Sequence, residues 1–158
     1  MKRIFKLTFI GSILLLFSVA LQAQTELYKE MSQTKGIESF YYTRNMLNES
    51  SFSDFDDASF NFMNLDRNRI KNIEYLSSTK RRAIRKLKKA YSFELWAQNE
   101  VEKNTKTLLQ LNYLKQKISI FQLPDFSYRI VLDNNKRFTI MHIQGNFRDN
   151  DVMNLIKQ

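Results

Sequence analysis

The stretch 127–145 constrains the fold more than any other part of the sequence, because it predicts a β-hairpin. Residues 128–132 and 137–143 are rich in β-branched and aromatic side chains, which suit a pleated and partly buried surface. Residues 133–136 form the predicted turn, in which Asn134 and Asn135 tolerate positive φ. The predicted cross-strand pairs are Leu132 with Arg137, Ile130 with Thr139 and Tyr128 with Met141.

The two faces of this hairpin differ in character. Phe126 and Ile143 are expected to extend the apolar face, whereas Arg129 and His142 dilute the other face. That mixed face also carries Val131, Phe138 and Ile140. Because a slip of one residue would turn the larger apolar set toward water, we expect the register to be well specified. Gly145 is expected to end the return strand.

Patterns in the remaining chain predict further helices and strands. Helices are expected from Thr25 to about Gly36, as a turn over 44–47, from Ser77 or Ser78 to about Ala90, and from Asp149 or Asn150 onward. Strands are expected over 37–43, 70–76, 91–98, 107–113 and 117–123, with an amphipathic helix over 108–120 as the alternative to the last two. Residues 50–66 predict an irregular, aromatic-rich segment. Together these predict an α+β fold, with a largely antiparallel sheet of about five to seven strands and three or four helices packed on it.

The N-terminal segment 1–23 is typical of a secretory signal peptide. Lys2, Arg3 and Lys6 precede an apolar run over 7–21, and Ala23 precedes the predicted cleavage site. Cleavage would lower the formal net charge from +9 to +6. We therefore expect a periplasmic or secreted protein, with residues 24–158 as a single domain. The alternative is an uncleaved segment that anchors the chain.

Cysteine is absent, so neither a disulfide nor a thiolate metal site can form. Asp54, Asp56 and Asp57 lack the glycine and the terminal glutamate of an EF-hand loop. His142 is the single histidine and cannot build a zinc site alone. No Gly-x-Ser-x-Gly, phosphate-loop or dinucleotide motif is present. The sequence thus predicts no catalytic residue, no metal site and no cofactor.

The strongest functional signal is a cationic run at the start of the predicted helix after Ser78. It places seven positive charges within residues 80–89: Lys80, Arg81, Arg82, Arg85, Lys86, Lys88 and Lys89. A helix face of this kind attracts an anionic surface or an acidic partner protein. Nucleic acid is not expected, because export would separate the chain from it. The alternative is a solvated face whose charges pair with Asp54, Asp56 and Asp57.

The layout of the chain resembles small exported proteins of Gram-negative bacteria that are grouped as a domain of unknown function. The resemblance covers residues 25–157 and rests on the segments 26–29, 35–38 and 138–147, the last of which ends as Gln144-Gly145-Asn146-Phe147. It implies the α+β fold and the exported location, and it implies no catalytic residue.

These observations favour an exported, non-enzymatic binding or interaction module whose basic helix is the contact surface. An envelope-associated structural protein with an uncleaved signal is the first alternative. A hydrolase that uses carboxylates from distant parts of the chain is the second.

Overall fold

An antiparallel sheet is the centre of the fold. The computed structural model describes residues 24–49, 65–101, 105–113 and 115–155, and the predicted signal peptide and Asp54, Asp56 and Asp57 lie outside these ranges. The six strands are β1 (Glu38–Thr43), β2 (Ile70–Ser78), β3 (Lys106–Tyr113), β4 (Gln116–Gln122), β5 (Tyr128–Asn134) and β6 (Arg137–Gly145). Four α-helices lie within the described ranges: α1 (Glu26–Met31), α2 (Arg44–Glu49), α3 (Arg81–Val101) and α4 (Asp149–Met153). A 3₁₀ turn, Arg67–Arg69, precedes β2. The predicted α+β class is confirmed.

The strand order β1-β2-β6-β5-β4-β3 makes α3 a crossover. Strands β3 to β6 form a meander, and β2 joins it through β6. The helix therefore carries the chain from β2 to the far edge, across four strand spacings or roughly 19 Å. Its 21 residues span about 31 Å. Such a connection must lie across one face of the sheet, so α3 covers that face.

The hairpin was predicted correctly in its strands and faces, but its register was wrong by two residues. Leu132 pairs with Thr139, Ile130 with Met141 and Tyr128 with Ile143. The loop is the tighter pair Asn135-Lys136, because the Asn134 side chain accepts a hydrogen bond from the Arg137 amide at 2.7 Å and closes the turn. A shift of two residues keeps every side chain on its predicted face, since the period of a strand is two.

Phe126 does not extend the apolar face as predicted. It lies in the turn after Pro124, has a φ of 61° and leaves 74% of its surface exposed. The Asp125 carboxylate accepts hydrogen bonds from the amide and the hydroxyl of Ser127, and these bonds fix the turn. The strand therefore begins at Tyr128, one residue after this tight turn.

Helices cover both faces of the sheet. On the face that carries Val131 and Phe138, the helices α1 and α3 pack through Leu27, Leu87 and Tyr91. On the opposite face, the core includes Leu47 of α2, Val152 of α4, and Leu65 and Leu155 from the segments beside the helices. The mixed face predicted from the sequence is therefore buried beneath α1 and α3, and its polar side chains must find partners there.

Helix α3 is longer than the sequence predicted. The predicted strand over 91–98 is wrong: those residues continue the helix to Val101. No glycine or proline interrupts this segment, and Tyr91 and Glu94 continue the buried stripe of Ala83 and Leu87 at helical spacing. The predicted start was also early, because Ser77 and Ser78 belong to β2. Over 108–120 the two predicted strands are present as parts of β3 and β4, so the helical alternative is wrong.

Substituting Gly145 with alanine is expected to lower the free energy of unfolding by about 1–3 kcal/mol. A Cβ atom at this position would lie 2.2 Å from the backbone oxygen of Arg69. That oxygen accepts a hydrogen bond from the Asn146 amide at 3.0 Å, so it cannot move freely. Chemical denaturation measures the loss. Gly36→Ala is not a matched comparison, because Gly36 has a φ of 89° that strains any side chain. A loss below about 0.5 kcal/mol for Gly145→Ala would contradict the steric account.

Candidate functional site

The predicted basic run lies at the N-terminal half of α3, where packing turns it outward. Ala83, Leu87 and Tyr91 are buried against the sheet and against α1. Successive residues of a helix are about 100° apart. On this basis five cations fall within an arc of about 140° on the opposite side: Arg81, Arg82, Arg85, Lys86 and Lys89. Lys80 immediately precedes the helix. The fold thus presents these cations on one surface, here called the basic face: Lys80, Arg81, Arg82, Arg85, Lys86 and Lys89.

Lys88 is the member of the predicted set that turns away from this face. Its ammonium is paired with the Asp133 carboxylate at 2.5 Å and lies 5.1 Å from the centre of the Phe138 ring. The side chain is therefore partly covered and partly neutralised by β5 and β6. It belongs to the margin of the α3–sheet interface and not to the basic face.

The other six cations are exposed, and within the described ranges none of them forms an ion pair. Asp54, Asp56 and Asp57 lie outside those ranges, so pairing with them stays a prediction. An uncompensated cluster of this density produces a positive potential that reaches about 8–10 Å into physiological saline. The basic face can therefore attract anions without any further rearrangement.

A second group of charges is buried beneath α1 and α3. Tyr41, Glu74, His142, Arg129 and Phe121 form one cross-strand row, from β1 through β2, β6 and β5 to β4. Arg129 is 1% exposed. The guanidinium donates two hydrogen bonds to Glu94 of α3, at 2.7 Å and 3.1 Å. This bidentate pair connects the helix to the sheet through charge-assisted bonds.

Glu74 connects the same row to the start of α1. Its carboxylate accepts hydrogen bonds from the Thr25 amide at 2.7 Å and from the Thr25 hydroxyl at 2.6 Å. The Thr25 hydroxyl oxygen in turn accepts a hydrogen bond from the Tyr28 amide, which confirms the predicted cap of the first helix. Glu74 thus holds α1 against β2.

Burial shifts the proton affinities of this network. Desolvation raises the pKa of Glu74 and of Glu94, while the Thr25 bonds and the Arg129 charge act in the opposite direction. Desolvation, followed by the Arg129 charge, lowers the pKa of His142 to about 4. His142 is therefore neutral at physiological pH. Its Nδ1 is buried and has no hydrogen-bond partner within the described part of the chain.

Two acids with raised pKa values, a histidine and an arginine are also the ingredients of acid–base catalysis. The cavity beside them has a volume of only about 10 Å³ and is lined by Thr25, Leu27, Glu74, Leu76, Arg129, Ile140 and His142. That volume is about enough for one water molecule. The network can therefore hold the fold together, and this cavity has no room for an organic substrate.

This network was not predicted from the sequence, although Arg129 and His142 were recognised as polar residues on the mixed face of the hairpin. The missing signal was Glu94, which the strand prediction over 91–98 placed on the polar face of that strand. If the helix is continued through residues 91–98, Glu94 lies seven residues after Leu87 and falls on the same buried stripe. A glutamate on that stripe needs a basic partner from the sheet, and Arg129 is that partner.

No protein-family model, curated protein or solved structure matches this chain. Among the described residues, no group of three or more histidine, cysteine, aspartate or glutamate side chains could hold a metal ion. No helix within the described ranges is long and apolar enough to span a membrane.

Proposed function

We propose that this chain is an exported, non-enzymatic binding module whose basic face contacts an anionic surface. The observation that carries the proposal is an arc of exposed cations, which form no ion pair within the described ranges, on a helix whose opposite side is buried. Export rests on the predicted signal peptide and on the resemblance to exported proteins.

The seating of α3 supports this function, because a surface-binding helix must keep its orientation on contact. The Glu94–Arg129 pair and the buried stripe hold the helix against the sheet. The cations are thus preorganised, and little conformational entropy is lost when an anionic surface arrives. Each basic residue near an anionic membrane contributes about 1 kcal/mol, and the contribution falls with added salt.

The absence of substrate space at the buried carboxylates supports the non-enzymatic part of the proposal. Glu74 is engaged by Thr25, and Glu94 by Arg129, so both carboxylates have structural partners. A general acid or base must reach the atom whose proton it transfers. Glu74 lines a cavity of about 10 Å³, which is about the volume of one water molecule.

Reversing three charges of the basic face should abolish most binding to anionic vesicles. The variant Arg82→Glu, Lys86→Glu, Lys89→Glu is expected to bind vesicles of phosphatidylcholine and phosphatidylglycerol about 100-fold more weakly, at about 1 kcal/mol for each lost cation. Co-sedimentation across a salt series measures the affinity. Because all three side chains are exposed, thermal unfolding should be unchanged.

The matched control reverses three exposed lysines elsewhere: Lys71, Lys115 and Lys136. It has the same net charge as the test variant and should retain most of the binding. Equal loss in both variants would show that only the net charge matters and would contradict a specific contact face. Retention on an anionic polysaccharide column, with no binding to vesicles, would identify the surface as polysaccharide.

A further inference from the structure

A cleft opens between α3 and the half of the sheet farthest from β2. Its volume is about 290 Å³, close to thirty times that of the cavity beside Glu74. Lys88, Tyr91 and Ser92 of α3 form one wall, and residues of β3 to β6 form the rest. On the sheet side, the lining includes Lys117, Ser119 and Phe121 of β4, of which Lys117 is exposed. Small-molecule pockets begin at about 300 Å³, so this cleft suits a small ligand.

The lining is divided into an apolar floor and a polar margin. The floor consists of Phe121, Val131 and Phe138, of which the last two are buried. The margin carries Lys117 of β4 and the Lys88–Asp133 ion pair. Two lysines and one aspartate leave one net positive charge. A ligand with an apolar body and a single negative charge is therefore complementary to the described lining.

Tyr91 lines the cleft, but its hydroxyl is out of reach of a molecule bound there. Tyr91 is 8% exposed and lines the cleft, and its hydroxyl oxygen is buried with no hydrogen-bond partner within the described residues. Because less than 1 Å² of this oxygen is accessible, a molecule bound in the cleft would contact the rest of the Tyr91 side chain and would not reach the hydroxyl.

We propose that the cleft binds a small amphipathic monocarboxylate, whose carboxylate meets Lys117 and whose apolar body covers Phe121, Val131 and Phe138. A neutral apolar molecule would leave the Lys117 charge without a counter-ion. A dianion would exceed the net charge of the margin. A long acyl chain would exceed the volume.

Decanoate is the probe for this site, and decanol is its neutral counterpart with the same chain. Titration of the full mature protein, followed by amide chemical shifts, should show saturable decanoate binding with shifts centred on the cleft. Decanol should bind at least tenfold more weakly. Equal binding of the two molecules, or shifts spread evenly over the surface, would overturn the proposal.

Lys117→Ala tests the charge, and Lys136→Ala is its matched control. Both lysines are exposed, but only Lys117 lines the cleft. The affinity for decanoate should fall about three- to tenfold in Lys117→Ala and stay unchanged in Lys136→Ala. The same loss in both variants would show that decanoate responds only to the net charge, and would overturn the proposal.

Tyr91→Phe is a second control. Because the hydroxyl is buried and lacks a partner within the described residues, its removal should leave Tm unchanged or raise it and should leave decanoate affinity unchanged. A fivefold or larger loss of affinity would contradict the proposed contact at Lys117. The inference does not depend on the basic face: Arg82→Glu with Lys86→Glu should alter vesicle binding and leave decanoate shifts in the cleft unaffected.

Discussion

Replacing Arg129 with methionine is expected to lower the free energy of unfolding by about 3–5 kcal/mol at neutral pH. Methionine keeps the length of the side chain but removes the charge. Glu94 then loses both hydrogen bonds of the bidentate pair, and Glu74 and Glu94 lose a cation that lowers their pKa values. The buried Glu94 carboxylate is then left without this pair and Glu74 keeps only its Thr25 bonds, which is costly, so the variant should unfold at much lower denaturant concentration. Urea denaturation at pH 7 measures the change.

The loss should be largely reversed when Glu94 is also replaced. The double variant Arg129→Met, Glu94→Leu removes both charges and leaves apolar groups in their place, which is often nearly neutral for buried pairs. Lys136→Met is the surface control and should change stability by less than about 0.5 kcal/mol. If Arg129→Met costs no more than Lys136→Met, the pair does not hold α3 to the sheet.

Acidification should destabilise the protein through His142, the only histidine of the chain. Its pKa is lowered from 6.5 to about 4 in the folded state, so the unfolded chain binds more protons between these values. The stabilising contribution is complete above about pH 6.5 and is lost as the pH falls toward 4. The difference corresponds to up to about 3 kcal/mol. Denaturation curves between pH 4 and 7 should show this loss.

The glutamates act in the opposite direction, so a variant is needed to isolate the histidine. The pKa values of Glu74 and Glu94 are raised, and their stabilising contribution is present at low pH and lost as the pH rises through those values. In His142→Gln the acid loss attributed to His142 should disappear and only the trend of the glutamates should remain. Titration of the imidazole by NMR gives the pKa directly. A midpoint near 6.5, or the same pH dependence in wild type and variant, would contradict the assigned burial.

Much of the fold could be predicted because local pattern and tertiary context agree. In β5 and β6, the alternation of side chains identifies both strands and both faces. The two-residue error in the predicted register leaves each side chain on its predicted face. The basic run was recognised from charge density alone, and the buried stripe of Ala83, Leu87 and Tyr91 confirms its place on a helix. Lys88 could not be separated from the other cations, because its partner Asp133 is 45 residues away in sequence.

The remaining features depend on long-range contacts. Residues 91–98 alternate as in a strand, yet Tyr91 and Glu94 also continue the helical stripe of Leu87. Only packing against the sheet decides between the two structures. Glu94, which pairs with Arg129, lies on α3, so no local pattern shows that this arginine is buried. Likewise, the cleft is lined by residues of β3 to β6 and of α3, which are brought together only by the crossover between β2 and β3.

The strand order also divides the sheet into two parts whose strand pairings differ in the entropy lost on loop closure. From β3 to β6 each strand pairs with its successor, so these pairings close short loops and have low contact order. Strand β2 joins β6 only after the chain has enclosed the whole crossover helix and that meander. We therefore expect the meander to nucleate folding and the β1–β2 pair to dock late. During synthesis, β1 and β2 emerge first, but β2 can pair with β6 only after the last strand has been made. Until then β2 has an unpaired edge, which a factor that prevents aggregation would need to protect.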